Sequence, residues 1–256
     1  MFVVKLLILI GGFVFLSVIF VRRLFLILTE NKMQTKLKRE LDLDMRRQKA
    51  SQPDVIAQMA AAAPAESKKA CKSGNVRSLF KKGEMKFAKN DLEEAERCFV
   101  QIVSLEDTHL EANLYLGLIY LKQKNFPKAE FFFHKLVNLK KDPVYYSNLG
   151  LALYQQGRLL EAAEAYESAV VLDDKRAARF ASLAQVYREL SNDEKALINF
   201  ERASQKSPRN LDYLWATLEY YQKLSRADDV AATADRILDL DPYNEDAKRI
   251  RDGNKA

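Results

Sequence analysis

The feature that most constrains this chain is a phrase of 34 residues that recurs five times between Val76 and Asn244. The clearest copy runs from Pro143 to Arg176, and the next, Ala177 to Asn210, follows in register with no gap. A period of this length specifies a stack of like supersecondary units in place of one closed core. Leu149, Gly150, Leu153, Gly157, Ala162, Tyr166 and Ala169 in the first of these copies are matched by Leu183, Ala184, Tyr187, Ser191, Ala196, Phe200 and Ala203 in the second. Apolar residues recur at three- and four-residue spacing on either side of the Gly157/Ser191 slot, so each copy reads as two amphipathic helices. Small residues at Gly150 and Ala162 let the two helices of one hairpin approach closely. Tyr166 and Ala169 are then expected to pack against the following unit. Pro208 ends a second helix, because proline has no N–H to give to a helix interior.

The other copies keep the phrase less completely. Leu110 to Asp142 retains Leu116, Gly117, Tyr120, Ala129, Phe133 and Leu136 but is one residue short. Val76 to His109 retains Gly83, Ala95, Phe99 and Ile102, and Leu211 to Asn244 retains Leu214, Tyr221, Ala234, Ile237 and Pro242. This pattern resembles the tetratricopeptide repeat. The resemblance implies an all-α, helix-turn-helix solenoid of five repeats, at 76–109, 110–142, 143–176, 177–210 and 211–244. A polar capping helix at 245–252 completes a domain that runs over 76–256. Lys82 and Lys86 depart from the family pattern at slots that are usually apolar, as suits an end repeat with no neighbour to cover it. Thr217, Leu218 and Val230 stand at small-residue slots of the fifth copy, which predicts less regular packing there.

Charge divides the chain unevenly. Residues 1–75 hold 13 Lys or Arg against 6 Asp or Glu, whereas residues 76–256 hold 28 against 29. The repeats are near neutral overall and lack the basic stripe a nucleic-acid reader would carry on its folded module, so no nucleic-acid partner is expected. Two cysteines, Cys71 in a polar linker and Cys98 beside Phe99 in a helix, are too few for a disulfide framework.

The N-terminus reads as an anchor. Leu6 to Val21 is a run of sixteen residues without a charge. With Met1 to Val4 it reaches about twenty residues, enough at about 1.5 Å per residue to cross a hydrocarbon core of about 30 Å. Arg22 and Arg23 stop the run, and the expected anchor occupies residues 1–28. The run is long, and Ile19, Phe20 and Val21 offer no small-x-small cleavage site, which argues against a removed signal peptide. Lys32, Lys36, Lys38, Arg39, Arg46, Arg47 and Lys49 follow the span, and only Lys5 precedes it. Positive flanks stay cytoplasmic. The expectation is a single-pass membrane protein with its N-terminus outside and its repeats cytoplasmic. Residues 29–75 form the connection. Met33, Leu37, Leu41 and Met45 make one apolar stripe on a charged helical stalk, which is compatible with a solvated stalk, a segment lying on anionic lipid, or a short coiled coil. Ser51 to Asn75, with Pro53 and Pro64, reads as a flexible tether.

Nothing in the sequence points to catalysis. His109 and His134 have no Cys, His or carboxylate partners at metal-ligand spacing, and there is no phosphate loop or nucleophile elbow. Acidic pairs such as Glu93/Glu94 and Asp228/Asp229 stand at helix starts, where they favour the positive end of the dipole. No enzyme activity, cofactor, metal or small-molecule substrate is expected. In tetratricopeptide arrays the first helix of each repeat lines a concave groove. By that resemblance a protein or peptide partner would meet Phe80, Phe87, Tyr115, Leu118, Asn148, Leu151, Tyr154, Gln185, Arg188, Trp215 and Glu219. The chaperone-binding members clamp a C-terminal carboxylate with several Lys, Arg and Asn, of which only Asn148 and Arg188 have counterparts here. An anchor followed by repeats is similar to bacterial membrane-anchored assembly scaffolds. One such family also starts with a span and Arg-Arg but ends in a paired CxxC module that this chain lacks. The expected function is a membrane-anchored interaction adaptor, or alternatively a structural subunit of a membrane complex.

Overall fold

The computed structural model describes residues 74–253, and the expected anchor, the stalk, most of the tether and Cys71 lie outside them. Eleven helices and no strand occur among the described residues. They are α1 (Gly74–Ala88), α2 (Leu92–Leu105), α3 (Leu110–Lys122), α4 (Phe126–Leu139), α5 (Pro143–Gln155), α6 (Leu159–Leu172), α7 (Ala177–Glu189), α8 (Asp193–Lys206), α9 (Leu211–Lys223), α10 (Ala227–Leu240) and α11 (Glu245–Gly253). Each helix packs mainly on the one before it and the one after it, which is the one-dimensional order of a solenoid. No described helix is long and apolar enough to cross a membrane.

Each hairpin turns at one residue with left-handed backbone. Asn90, Lys124, Gly157, Ser191 and Ser225 have φ of 60°, 57°, 75°, 54° and 56°. They occupy one repeat slot, and only Gly157 pays no steric penalty for it. The following residue then donates its N–H to the carbonyl five residues back, as in Asn125 to Tyr120 at 2.8 Å and Asn192 to Tyr187 at 2.9 Å. That bond ends the first helix, and the same residue starts the second. Asp91, Asn125 and Asn192 accept from the N–H groups of Glu94, Lys128 and Lys195. Arg158 and Arg226 make no such cap, and instead pair with Glu161 and Asp229 in the first turn.

The two helices of a hairpin meet ring on glycine. A Cβ built on Gly83 would lie 2.8 Å from Phe99, one on Gly117 would lie 2.8 Å from Phe133, and one on Gly150 would lie 2.9 Å from Tyr166. Tyr166 therefore packs within its own hairpin as well as against Ser182 of the following unit, as expected. Ala184 and Phe200 hold the same two slots in the fourth repeat. In the fifth the sizes are exchanged: Leu218, 1 % exposed, stands on the first helix and Ala234, 0 % exposed, on the second. Both belong to one core with Leu214, Val230, Ile237 and Ala247. The fifth repeat is thus packed by a reciprocal swap, and the irregularity expected from its large residues does not arise. Ala247 and Ile250 of α11 cover this core at its open side, as expected of a cap.

Successive hairpins are joined by polar bonds. The Tyr120 hydroxyl of α3 donates to Glu96 of α2 at 2.7 Å, and Tyr221 of α9 donates to Glu201 of α8 at 2.6 Å. Tyr187 of α7 donates likewise to Glu167 of α6. These three tyrosines share one repeat slot. The third repeat has Leu153 there, and its junction uses Glu130 of α4, which accepts from Gln156 at 2.8 Å and from Arg158 at 2.6 Å. Burial, reinforced by the facing carboxylate, pushes all three phenols above their ordinary value.

Two outcomes follow. Gly150→Ala places a methyl against the Tyr166 ring and is expected to cost about 1–3 kcal/mol in urea denaturation. Leu218→Gly and Ala234→Phe should each destabilise alone, and the double variant should recover part of the loss, with a coupling of about 0.5–3 kcal/mol; strict additivity would contradict the swap. Stability should also depend on alkali. A phenol whose folded pKa lies above its unfolded value favours folding up to the unfolded value, about 10, and the benefit disappears as pH rises through the folded values. Denaturation midpoints should hold from neutral pH to about 10 and then fall, less steeply in Tyr187→Phe.

Candidate partner-binding groove

The first helices α1, α3, α5, α7 and α9 carry all eleven residues expected to meet a partner, and the structure sorts them into different environments. At the N-terminal end the aromatic residues satisfy one another. Phe80 lies edge-on to Phe99 at 5.7 Å and to Tyr115 at 5.8 Å, and stacks on His109 at 5.6 Å. Phe87 meets Tyr115 edge-on at 5.2 Å, and Lys122 sits 4.6 Å over its other face. The Tyr115 hydroxyl donates to Glu84 of the preceding first helix at 3.0 Å. This cluster is packed wall more than open receptor. His109 is part of it: its Nδ1 accepts from the Ala112 N–H at 3.2 Å and so caps α3. Leu118 is half-buried nearby.

At the C-terminal end Trp215 packs on the Leu214–Leu218 core. Arg188 and Glu219 are exposed. Asn148 is half-buried and turns its amide back to the Val144 carbonyl at 2.9 Å.

Between these ends three of the expected residues converge. Leu151 and Tyr154 of α5 and Gln185 of α7 line an open cavity of about 350 Å³. Tyr166, Ala178, Ala181, Ser182 and Tyr213 complete it. Small residues make the space: Ala178 and Ala181 stand one turn apart on α7, where longer side chains would fill the gap between α5 and α9. Tyrosines wall it from three helices, and polar groups rim it. The Gln185 amide reaches the Tyr154 hydroxyl at 3.5 Å and Glu189 at 3.2 Å. The Tyr166 phenol is 5 % exposed in its hairpin, and burial pushes its pKa up to about 12 while a hydrogen bond with Ser182 pulls the other way. The space suits one apolar side chain, with hydroxyl and amide groups at its edge for a neighbouring main chain.

The two alanines and Tyr213 were not among the expected partner residues. Alanine on a first helix carries no chemical signal of its own, and Tyr213 stands two residues before Trp215, the expected contact of the fifth repeat. The signal available was the pairing of small residues one turn apart on α7 with Tyr154 on α5 and Tyr213 on α9.

Among the described residues no three His, Cys, Asp or Glu side chains stand together as metal ligands would. His134 is exposed and its ring nitrogen lies 3.0 Å from the Asn138 amide. Cys98 is buried, and burial raises its thiol pKa.

Models of the tetratricopeptide repeat match residues 143–176 and residues 80–137. The first three hairpins match the tetratricopeptide repeat. No curated protein sequence matches the chain. Among solved structures, MamA is 20 % identical with a TM-score of 0.62, over 67 % of this chain and 94 % of its own. YrrB, a tetratricopeptide-repeat protein with an unusual peptide-binding site, is 16 % identical with a TM-score of 0.57, over 68 % of this chain and 90 % of its own. PilF of Pseudomonas aeruginosa is 15 % identical with a TM-score of 0.55, over 68 % and 80 %. These likenesses share the repeat fold. The first, second and third repeats supply the ring-on-glycine contacts, and the third, fourth and fifth supply the cavity.

The environment of Tyr166 is directly measurable. In a tyrosine-resolved NMR titration it should ionise near pH 12, about two units above a free phenol. A value near that of a free phenol would show that the cavity floor is wet.

Proposed function

We propose that this protein is a non-enzymatic, membrane-tethered adaptor that captures a partner protein by an apolar side chain seated between the third, fourth and fifth repeats. The observation that carries the reading is the cavity bounded by Leu151, Tyr154, Ala178, Ala181 and Tyr213, with Gln185 and Ser182 at its polar edge. Apolar walls supply affinity by burial, and a few placed polar groups orient the bound main chain. That YrrB, with the same fold, has a peptide-binding site supports a peptide-like occupant. The tether is proposed from the uncharged run Leu6 to Val21 and the positive residues that follow it, which favour a cytoplasmic array.

The test is capture of displayed peptides by the detergent-solubilised full chain. Selected peptides should share a bulky apolar residue. Ala181→Arg should weaken their binding by at least about tenfold, the scale expected for losing a buried anchor contact, whereas Phe87→Ala should change it little. Equal binding by the Ala181→Arg variant would refute this site.

A second reading has its own observation. Leu105, Leu139 and Leu172 end the second helices of the first three repeats at one slot and are 49 %, 42 % and 43 % exposed, beside Val171 at 85 %. A stripe of this kind on the second-helix side suits a structural subunit of a larger assembly. Cross-links from that stripe, with none from the cavity, would favour it.

A further inference from the structure

Charge in the repeats is concentrated at one end. Residues 74–89 hold five Lys or Arg and one Glu, whereas residues 90–253 hold 22 Lys or Arg and 28 Asp or Glu. The near-neutral total of the array hides this polarity, and the absence of a basic stripe expected from that total does not hold locally. Arg77, Lys81 and Met85 follow one another at four-residue spacing along α1, and Lys89 continues the row just past its end. Lys82 stands beside the row. All five side chains are on exposed residues, with Met85 49 % exposed in their midst. The opposite face of α1 holds Phe80, Gly83 and Phe87 against the aromatic cluster. The row is therefore the face of α1 turned away from that cluster. Lys82 lies 3.7 Å from Glu94 and Lys86 reaches Asp91 at 2.7 Å, but no ion pair to a described residue holds Arg77, Lys81 or Lys89.

We infer that this face of α1 docks on an anionic lipid surface and sets the orientation of the array. The argument is charge complementarity and chain connectivity. An anionic surface attracts the α1 row and repels the acidic remainder, so only one end of the solenoid can approach within a Debye length, about 8–10 Å at physiological salt. Residues 1–73, which carry 13 Lys or Arg and 6 Asp or Glu, enter the array directly at this helix. Met85 amid the cations matches the mixed apolar and basic character of interfacial helix faces. The inference rests on the tethered reading only for its proximity to the membrane. Orientation by α1 would direct the α5–α7–α9 cavity to partners at a fixed distance from the bilayer.

The test uses the full chain in lipid nanodiscs of phosphatidylcholine, with and without phosphatidylglycerol, followed by amine-reactive footprinting and mass spectrometry. Reactivity at Lys81, Lys82 and Lys89 should fall several-fold in the anionic discs alone and recover at high salt. Lys206, on α8, should not change. In the Lys81→Glu/Lys89→Glu variant the protection of Lys82 should be lost. Equal reactivity in both lipids overturns the inference, as does protection that salt does not reverse. Duplex DNA bound by the solubilised chain and lost in that variant would assign the face to nucleic acid and overturn it as well. Retention separates the two readings: a chain held only by anionic discs refutes the anchor and leaves the face standing, and a chain held by neither overturns both.

Discussion

Every hairpin of this array depends on a size match across two helices: one helix offers a small residue where the other brings a bulky one. With Gly83, Gly117 or Gly150 at the crossing, the backbone itself is the surface on which Phe99, Phe133 or Tyr166 lies. This sets the separation of the helices more tightly than general hydrophobic burial could, because burial is non-directional and tolerates many spacings. Once the separation is fixed, a single left-handed residue between the helices closes the turn at the same slot in every hairpin.

The junctions between hairpins obey a different logic. Tyrosine hydroxyls on first helices reach back to glutamates on preceding second helices, and at the second junction Glu130 takes Gln156 and Arg158 instead. Such bonds are directional, so they fix rotation between neighbours where apolar contacts alone would permit sliding. The cavity is a product of this rotation. Its lining comes from three successive first helices and from Tyr166 of α6, so it exists only where neighbouring hairpins are held together.

The period, the helix pairing and the turn slot were legible in the sequence, because each repeats a local rule five times and chance cannot imitate that; the cap was legible as a polar helix after the last copy. The packing of the fifth repeat was not, since a large residue at a small slot looks like a fault until its partner 16 residues later is seen to have shrunk. The groove was only partly legible. Leu151, Tyr154 and Gln185 do converge, whereas Phe80, Phe87 and Tyr115 spend their rings on one another and Trp215 on the terminal core. A slot rule states which way a side chain faces, and not whether a neighbour has already filled the space. The basic row on α1 was obscured by averaging charge over the whole array.

The exchange of sizes in the fifth repeat also bears on how such a chain can change by recombination. A crossover at the boundary between hairpins carries a matched pair with it, whichever way round the pair is built. A crossover inside a hairpin, between the fourth and fifth copies, would join Ala184 to Ala234 and leave a void, or join Leu218 to Phe200 and force an overlap. The fifth copy is thereby isolated from its neighbours as a donor or acceptor of half-repeats, and its own sequence can diverge without being overwritten by theirs.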